Sequence, residues 1–177
     1  MCGRYVVTKA TSTLLADLMD GLPELPDDHN VAPTDDIPAI RLRHGERELT
    51  RMHWGLIPGW AKSFAAKPQP INARLESVGT NGMFRSAFAK HRAIVPALGY
   101  YEWRVTPGGK QPWFVHAPDA GMAFAALYAS WPDPAKAEGD PEKWRLSTTI
   151  VTHEAKDASG RIHPRMPVCL TPDASVD

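Results

Sequence analysis

The sequence predicts an α+β fold: one domain over residues 1–177, built on a mainly antiparallel, barrel-like sheet with short flanking helices. Three observations predict it. Apolar runs are short, and most alternate with polar residues as strands do. Only residues 8–22 and 83–91 carry helical spacing. The 17 prolines and 13 glycines cut the chain into short connections. At 177 residues and 43% hydrophobic, the chain can bury one proper core, and neither repeats nor a linker divide it.

The elements follow in order. Residues 2–7 form a first strand. Residues 8–22 form a helix, with Leu14, Leu15, Leu18 and Leu22 on one side and Thr8 or Thr11 as its cap; Pro23 and Pro26 end it. Asn30-Val31-Ala32-Pro33 is a loop. Residues 37–43 and 48–54 alternate around His44-Gly45-Glu46-Arg47 and form a hairpin. Trp54 to Trp60 holds two Trp, two Gly and a Pro, so it is either a buried apolar corner or a stacking platform for a base. Residues 71–76 are extended, which turns Asn72 and Arg74 to one side. The helix over 83–91 points Met83, Phe84, Ala87 and Phe88 inward. Strands follow over 92–97, from 99 through Trp103, and over 112–117, with a turn at 107–110. Residues 122–131 are a central strand, 133–143 an exposed loop, and 146–152 a buried strand. His163-Pro164-Arg165-Met166-Pro167 is a proline-bracketed loop.

Composition excludes several classes. No apolar run is long enough to span a membrane, and no signal peptide opens the chain. Two cysteines, Cys2 and Cys169, make no disulfide framework, so a reducing cytosol is expected. Cysteine-rich zinc sites are ruled out, and the seven histidines lack metal-ligand spacing, so neither metal nor cofactor is expected. The net charge of zero hides a gradient: residues 17–36 hold seven acids and no Lys or Arg, whereas 41–92 hold ten basic residues and three acids. Those basic residues either gather into a face for a polyanion or scatter over the surface.

Chemistry concentrates at a few positions. With Met1 removed, Cys2 presents an α-amine and a thiol on adjacent carbons, two nucleophiles that a modest environmental shift makes reactive at neutral pH; otherwise it is a small buried hydrophobe. Gly3 lets backbone approach a ligand and Arg4 adds a permanent cation. Glu102 lies among Tyr100, Tyr101 and Trp103 and is either a solvent-face carboxylate or a desolvated proton carrier. Alternation puts Tyr100 and Glu102 on one face, Tyr101 and Trp103 on the other. His163 stands between Arg161 and Arg165. Asn72 can orient a nucleophile or bind a substrate oxygen, and Arg74 suits a phosphate. GxSxG, P-loop and GxGxxG patterns are absent.

Seven blocks then fall in sequence: Met1-Cys2-Gly3-Arg4-Tyr5; Asn30-Val31-Ala32-Pro33; Trp54-Gly55-Leu56-Ile57-Pro58-x-Trp60; Asn72-Ala73-Arg74-x-Glu76; Pro96-Ala97-x-Gly99-Tyr100-Tyr101-Glu102-Trp103; Thr152-x-x-Ala155; and His163-x-Arg165-Met166-Pro167. Together they resemble the SRAP family, the SOS-response-associated peptidases or abasic-site-processing proteins, over nearly the whole chain. The resemblance implies a compact α+β domain around a barrel-like core. It also implies recognition of abasic sites in single-stranded DNA, including fork junctions, and a covalent thiazolidine crosslink through Cys2.

Residue by residue, it implies that Asn72 binds the sugar and orients Cys2 and that Glu102 shuttles protons. His163 acts as an acid toward the sugar oxygen and supports β-elimination. Arg4 and Arg74 hold phosphates, Trp60 stacks on or wedges between flanking bases, and Pro33 and Thr152 shape the pocket. A monomer working in the cytoplasm, at the nucleoid in a bacterium, is the expectation. One departure is expected to matter: family members usually continue past the equivalent of residues 167–170 with a stretch bearing a Val-Asn motif, so part of the sheet edge or DNA groove would be missing. Cys169 reads as a structural thiol. Two alternatives to covalent capture stay open, a peptidase built on the N-terminal cysteine and a non-covalent reader of damaged or modified DNA.

Overall fold

Residues 36–54 show how side-chain alternation builds the sheet. β3 (Asp36–Arg43) and β4 (Glu46–Trp54) pair over their whole length, from Asp36 opposite His53 to Arg43 opposite Glu46. They turn at His44 and Gly45, whose φ values of 53° and 86° suit the tight turn that matches strand twist. The computed structural model describes residues 2–171. Its remaining elements are β1 (Tyr5–Val7), α1 (Lys9–Leu14), β2 (Asp28–Val31), β5 (Asn72–Arg74), α2 (Arg85–Lys90), β6 (Arg92–Ala97), β7 (Gly99–Thr106), β8 (Gly109–His116), β9 (Met122–Pro132), β10 (Trp144–Glu154) and β11 (Arg165–Pro167).

β10, β4, β3, β6 and β9 join in that order, and β9 pairs back onto β10, so the five strands close into a barrel. All of these pairings are antiparallel except β4–β10. β5 also runs parallel to β10, with Asn72 opposite Ile150 and Arg74 opposite Thr152. Ile37, Met52, Trp54, Val95, Phe124 and Ile150, from all five barrel strands, meet in one cluster. A closed sheet places that cluster inside. A second sheet, ordered β2-β1-β7-β8, adds Tyr5, Val7 and Tyr100 to the same cluster. α2 covers the other barrel face, with Phe84 and Ala87 against Leu127, Ala129 and Val151.

The predicted α+β class and barrel-like sheet hold. Several boundaries do not. The helix expected over 8–22 is only α1, followed by a 3-10 turn at Ala16–Leu18. Thr8 donates its N–H to Thr11 Oγ1 at 3.0 Å and caps the start. The next residues, Ser12 and Thr13, are poor helix formers whose hydroxyls compete for backbone, and Ser12 Oγ accepts the Leu25 N–H at 2.8 Å instead. Asn30 and Val31 belong to a strand, because β1 offers an edge with Tyr5 opposite Val31; the loop is confined to the turn at Pro33. β1 itself begins at Tyr5 and not at Cys2. α2 is shorter than 83–91, and Phe88 is exposed, contrary to its expected inward position. The loop at 163–167 ends as β11, held to β10 by Thr152 opposite Pro167 and Glu154 opposite Arg165.

Candidate functional site

β1 and β7 bring the start of the chain against Glu102. Tyr5 lies opposite Tyr100, and the Tyr101 N–H donates to the Arg4 carbonyl at 2.9 Å. Alternation along β7 then aims Tyr100 and Glu102 inward, both buried, while Tyr101 and Trp103 stay half-exposed. Cys2 has no exposed surface. Burial, and after it the nearby Glu102 carboxylate, hold its thiol well above the usual thiol range; the Arg4 backbone N–H pulls weakly the other way. The thiol therefore stays protonated at neutral pH. Met1, on whose removal the free amine depends, lies outside the described residues.

Burial shapes the surrounding groups in the same way. It pushes the Tyr100 phenol up to about 12 and the Cys169 thiol to about 11. The Tyr5 phenol is also held well above its ordinary range, first by burial and then by Cys2. Cys169, half-buried, bridges to Phe124 beside the core, in keeping with a structural thiol.

β5 supplies the next group. Ala73 is fully buried, so its neighbours Asn72 and Arg74 share the opposite side, as alternation predicts. Asn72 Nδ2 donates to the Ile71 carbonyl at 3.0 Å. That carbonyl also accepts Trp54 Nε1 and the Ile150 N–H, each at 3.0 Å. Asn72 Oδ1 is buried without a hydrogen-bond partner. An orphaned acceptor of this kind costs about 1–3 kcal/mol, which a ligand donor would recover. Arg74 is exposed.

Beneath β5 a network ties His163 to the sheet. Arg165 donates from Nη1 and Nη2 to the two Glu76 carboxylate oxygens at 2.8 and 3.0 Å. Nη2 also reaches the Thr152 carbonyl at 2.7 Å and Thr152 Oγ1 at 3.2 Å. The guanidinium holds the Glu76 carboxyl down at about 2, well below the usual carboxylate range. His163 Nδ1 accepts the Arg165 N–H at 3.0 Å. The same Nδ1 lies 3.2 Å from the Arg165 carbonyl, so both backbone groups of Arg165 fix the ring's position.

The structure thus brings Cys2 and Glu102 together, and it sets Asn72, Thr152 and His163 on three neighbouring segments linked through β10. Thr152 is fully buried and serves as an anchor for Arg165. Gly3 and Arg4 are half-buried, and Arg4 Nη1 donates to the Gly3 carbonyl at 2.8 Å. Pro33 leads a turn in which Asp35 N–H returns to the Ala32 carbonyl and Thr34 N–H to the Trp54 carbonyl. Asp28, Asp35 and Asp36 line a cavity of about 330 Å3 beside that turn. Arg51 lines the same cavity, and Pro33, half-buried in the turn, is not part of its wall. Trp60 stands at 71% exposure on a loop whose Leu56 and Ile57 are buried, so this stretch is both corner and tip.

Four of the ten basic residues of 41–92 are engaged elsewhere in the fold, while Arg74 stands beside Asn72. Arg41 and Arg43 pair with Glu48 at 2.9 and 3.2 Å, and Arg47 and Arg51 donate to the Leu18 and Asp36 carbonyls. Trp54, Glu76 and Arg165 were not predicted as site residues. Glu76 and Arg165 stood in two of the sequence blocks, and their opposite charges were the available signal; the triple acceptor at Ile71 is a backbone feature with none. Among the described residues, no three His, Cys, Asp or Glu side chains converge as a metal site, and no helix is long and apolar enough to cross a membrane. An outer groove of about 290 Å3, lined by Leu42, Leu75, Phe88 and Leu127, is distinct from the surroundings of Cys2.

Comparison with known proteins gives three consistent results. A family profile for SOS response associated peptidase (SRAP) matches residues 1–177. The abasic site processing protein YoqW of Bacillus subtilis is 34% identical over 177 residues, spanning 97% of this chain and 76% of that one. The abasic site processing protein YedK of Escherichia coli is 33% identical over 182 residues, spanning 99% and 78%. A crystal structure of a Bordetella bronchiseptica protein superposes with a TM-score of 0.78 at 27% identity, covering 98% of this chain and 86% of that one.

Proposed function

The chain belongs to the SOS response associated peptidase (SRAP) family, and from that premise we propose that it processes abasic sites by capturing them covalently in single-stranded DNA through Cys2. The observation that carries this reading is the burial of Cys2 beside Glu102. A protonated thiol next to a carboxylate suits a sequence in which the amine reacts first. The freed α-amine attacks the C1′ aldehyde of the opened sugar, and the carbinolamine loses water to give an imine. The thiol sulfur then bonds to the imine carbon while its proton moves to nitrogen. This closes a five-membered thiazolidine, and the second attack is intramolecular, with a large effective concentration.

Glu102 takes and returns protons at the amine and the departing hydroxyl. Asn72 Oδ1 accepts from a sugar hydroxyl. His163, whose ring is held at Nδ1 by the Arg165 backbone, donates toward the ring oxygen as the sugar opens and supports β-elimination as a side reaction. Arg4 and Arg74 hold flanking phosphates, and Trp60 stacks on a neighbouring base. The Gly3 backbone and the Pro33 turn border the lesion.

The test is a denaturation-resistant complex. Wild type lacking Met1 should form one with a single-stranded abasic oligonucleotide, and Cys2→Ala should lose the stable product. Salt-sensitive shifts alone from wild type would overturn covalent capture and leave a non-covalent reader.

The family description itself favours one second reading, a peptidase. It requires a reactive sulfur, whereas burial and Glu102 both keep the Cys2 thiol protonated. Steady turnover of a peptide in trans, without an abasic-DNA adduct, would decide for it.

A further inference from the structure

The β7–β8 hairpin carries a row of rings that the chemistry above does not use. Tyr101 lies opposite Phe114, and Gly99 opposite His116. The Tyr101 and Phe114 ring centroids are 5.1 Å apart, and Phe114 and His116 stack at 5.3 Å with planes only 20° apart. Phe114 is held flat on the sheet by Gly99, where an added Cβ would come within 2.6 Å of Phe114 Cζ. The ring is thus preset by its two neighbours and by the bare backbone under it. Phe114 and His116 are nevertheless exposed to solvent. An aromatic row fixed in position and left open is costly to hydrate, and it suits a planar ligand.

Charge identifies which planar ligand. Glu102 is the only acid in β1, β7 and β8, and it is turned to the buried face. Arg104 and Lys110 are exposed on the same hairpin, and Lys110, opposite Val105, shares the face of Tyr101 and Phe114. The row adjoins the start of the chain: Tyr101 N–H bonds the Arg4 carbonyl, and the register that sets Tyr5 opposite Tyr100 sets Arg4 beside Tyr101, on the face of β7 away from Glu102. Open rings with a cation on the same face suit a single-strand nucleic-acid track. We infer that Tyr101, Phe114 and His116 form a base-stacking subsite that holds nucleotides flanking the captured position, with Lys110 against their backbone. This rests on the proposed reading of the Cys2 site as one that acts on single-stranded DNA.

The test separates the two claims. Binding of an intact single-stranded oligonucleotide, which has no aldehyde, is measured by fluorescence anisotropy for wild type, Phe114→Ala, Phe114→Leu and Phe114→Trp, with thermal melting to verify folding. Capture yield is measured in parallel on a long abasic oligonucleotide and on 2-deoxyribose 5-phosphate, an abasic sugar with the same aldehyde and no flanking base. Loss of one stacked base predicts about tenfold weaker binding for Phe114→Ala and Phe114→Leu, and near-complete retention in Phe114→Trp. Capture of the long substrate at limiting concentration falls to match, and capture of the free sugar phosphate stays at the wild-type level. Unchanged binding in folded Phe114→Ala overturns the subsite, as does full rescue by Phe114→Leu, which keeps apolar area without a ring. A concentration-dependent dimer that Phe114→Ala abolishes also overturns it, assigning the face to a second copy of this chain. If wild type captures neither abasic substrate, the proposed reading of Cys2 fails, and the anisotropy series still decides the subsite.

Discussion

Arg165→Ala tests whether the network under the site supports it. The guanidinium is 17% exposed and Glu76 53%, so their bidentate pair is partly solvated and is worth about 1 kcal/mol. The bonds to Thr152 are more sheltered, because Thr152 is fully buried. Its carbonyl keeps the Leu75 N–H at 2.9 Å when Arg165 is removed, whereas the buried Thr152 Oγ1 loses the Arg165 bond. One charge-assisted bond of this kind contributes about 1.5–3 kcal/mol. Together the loss comes to about 2–4 kcal/mol. For a chain of this size that lowers the melting midpoint by roughly 4–16 °C. Glu76→Gln removes only the charged half of the pair and should cost no more than about 1 kcal/mol. A double-mutant cycle by thermal or urea melting should give a coupling of about 0.5–1 kcal/mol between the two positions. Zero coupling, or a larger cost for Glu76→Gln than for Arg165→Ala, would refute the reasoning.

Three further outcomes are expected. Trp54→Phe removes one of three donors at the Ile71 carbonyl and should cost about 1 kcal/mol, with slower crosslinking because Asn72 shares that acceptor; unchanged melting and unchanged rate would contradict the link. Native Cys2 should resist alkylation at pH 7, and Glu102→Gln should speed it only modestly, because burial is the larger cause of the raised thiol; rapid labelling located by mass spectrometry would contradict this. The Glu76 carboxyl is lowered from 4.5 to about 2, so its contribution to stability is present above about pH 4.5 and is lost as pH falls toward 2. Glu76→Gln should flatten that part of the stability–pH curve, and an unaltered curve would show that the pair does not act on folding.

Much of the architecture was legible because alternation acts locally. The β3–β4 hairpin, the shared side of Asn72 and Arg74 around Ala73, and the shared face of Tyr100 and Glu102 all follow from a period of two, which does not by itself say which face of β7 is buried. The first helix was over-read, since leucine spacing at 14, 15, 18 and 22 says nothing of the hydroxyls before it or of the Leu25 N–H that claims Ser12. β2 was missed because its pairing partner, β1, is distant in sequence. At the site, residue types announced Cys2, Glu102 and His163 as candidates. The raised thiol was not legible, because it depends on burial by residues from the whole barrel. Nor was the fate of the basic stretch, where Arg41, Arg43, Arg47 and Arg51 each found an internal acceptor.

Covalent capture by the Cys2 amine and thiol is the central claim, and intact mass spectrometry tests it most directly. Protein is incubated with a single-stranded abasic oligonucleotide and analysed under denaturing conditions. The account predicts one species at the mass of the chain without Met1 plus the oligonucleotide, less one water, stable without added reductant. A chain that lacks Met1, is correctly folded, and carries no adduct, or an adduct that survives only after borohydride reduction, would contradict it.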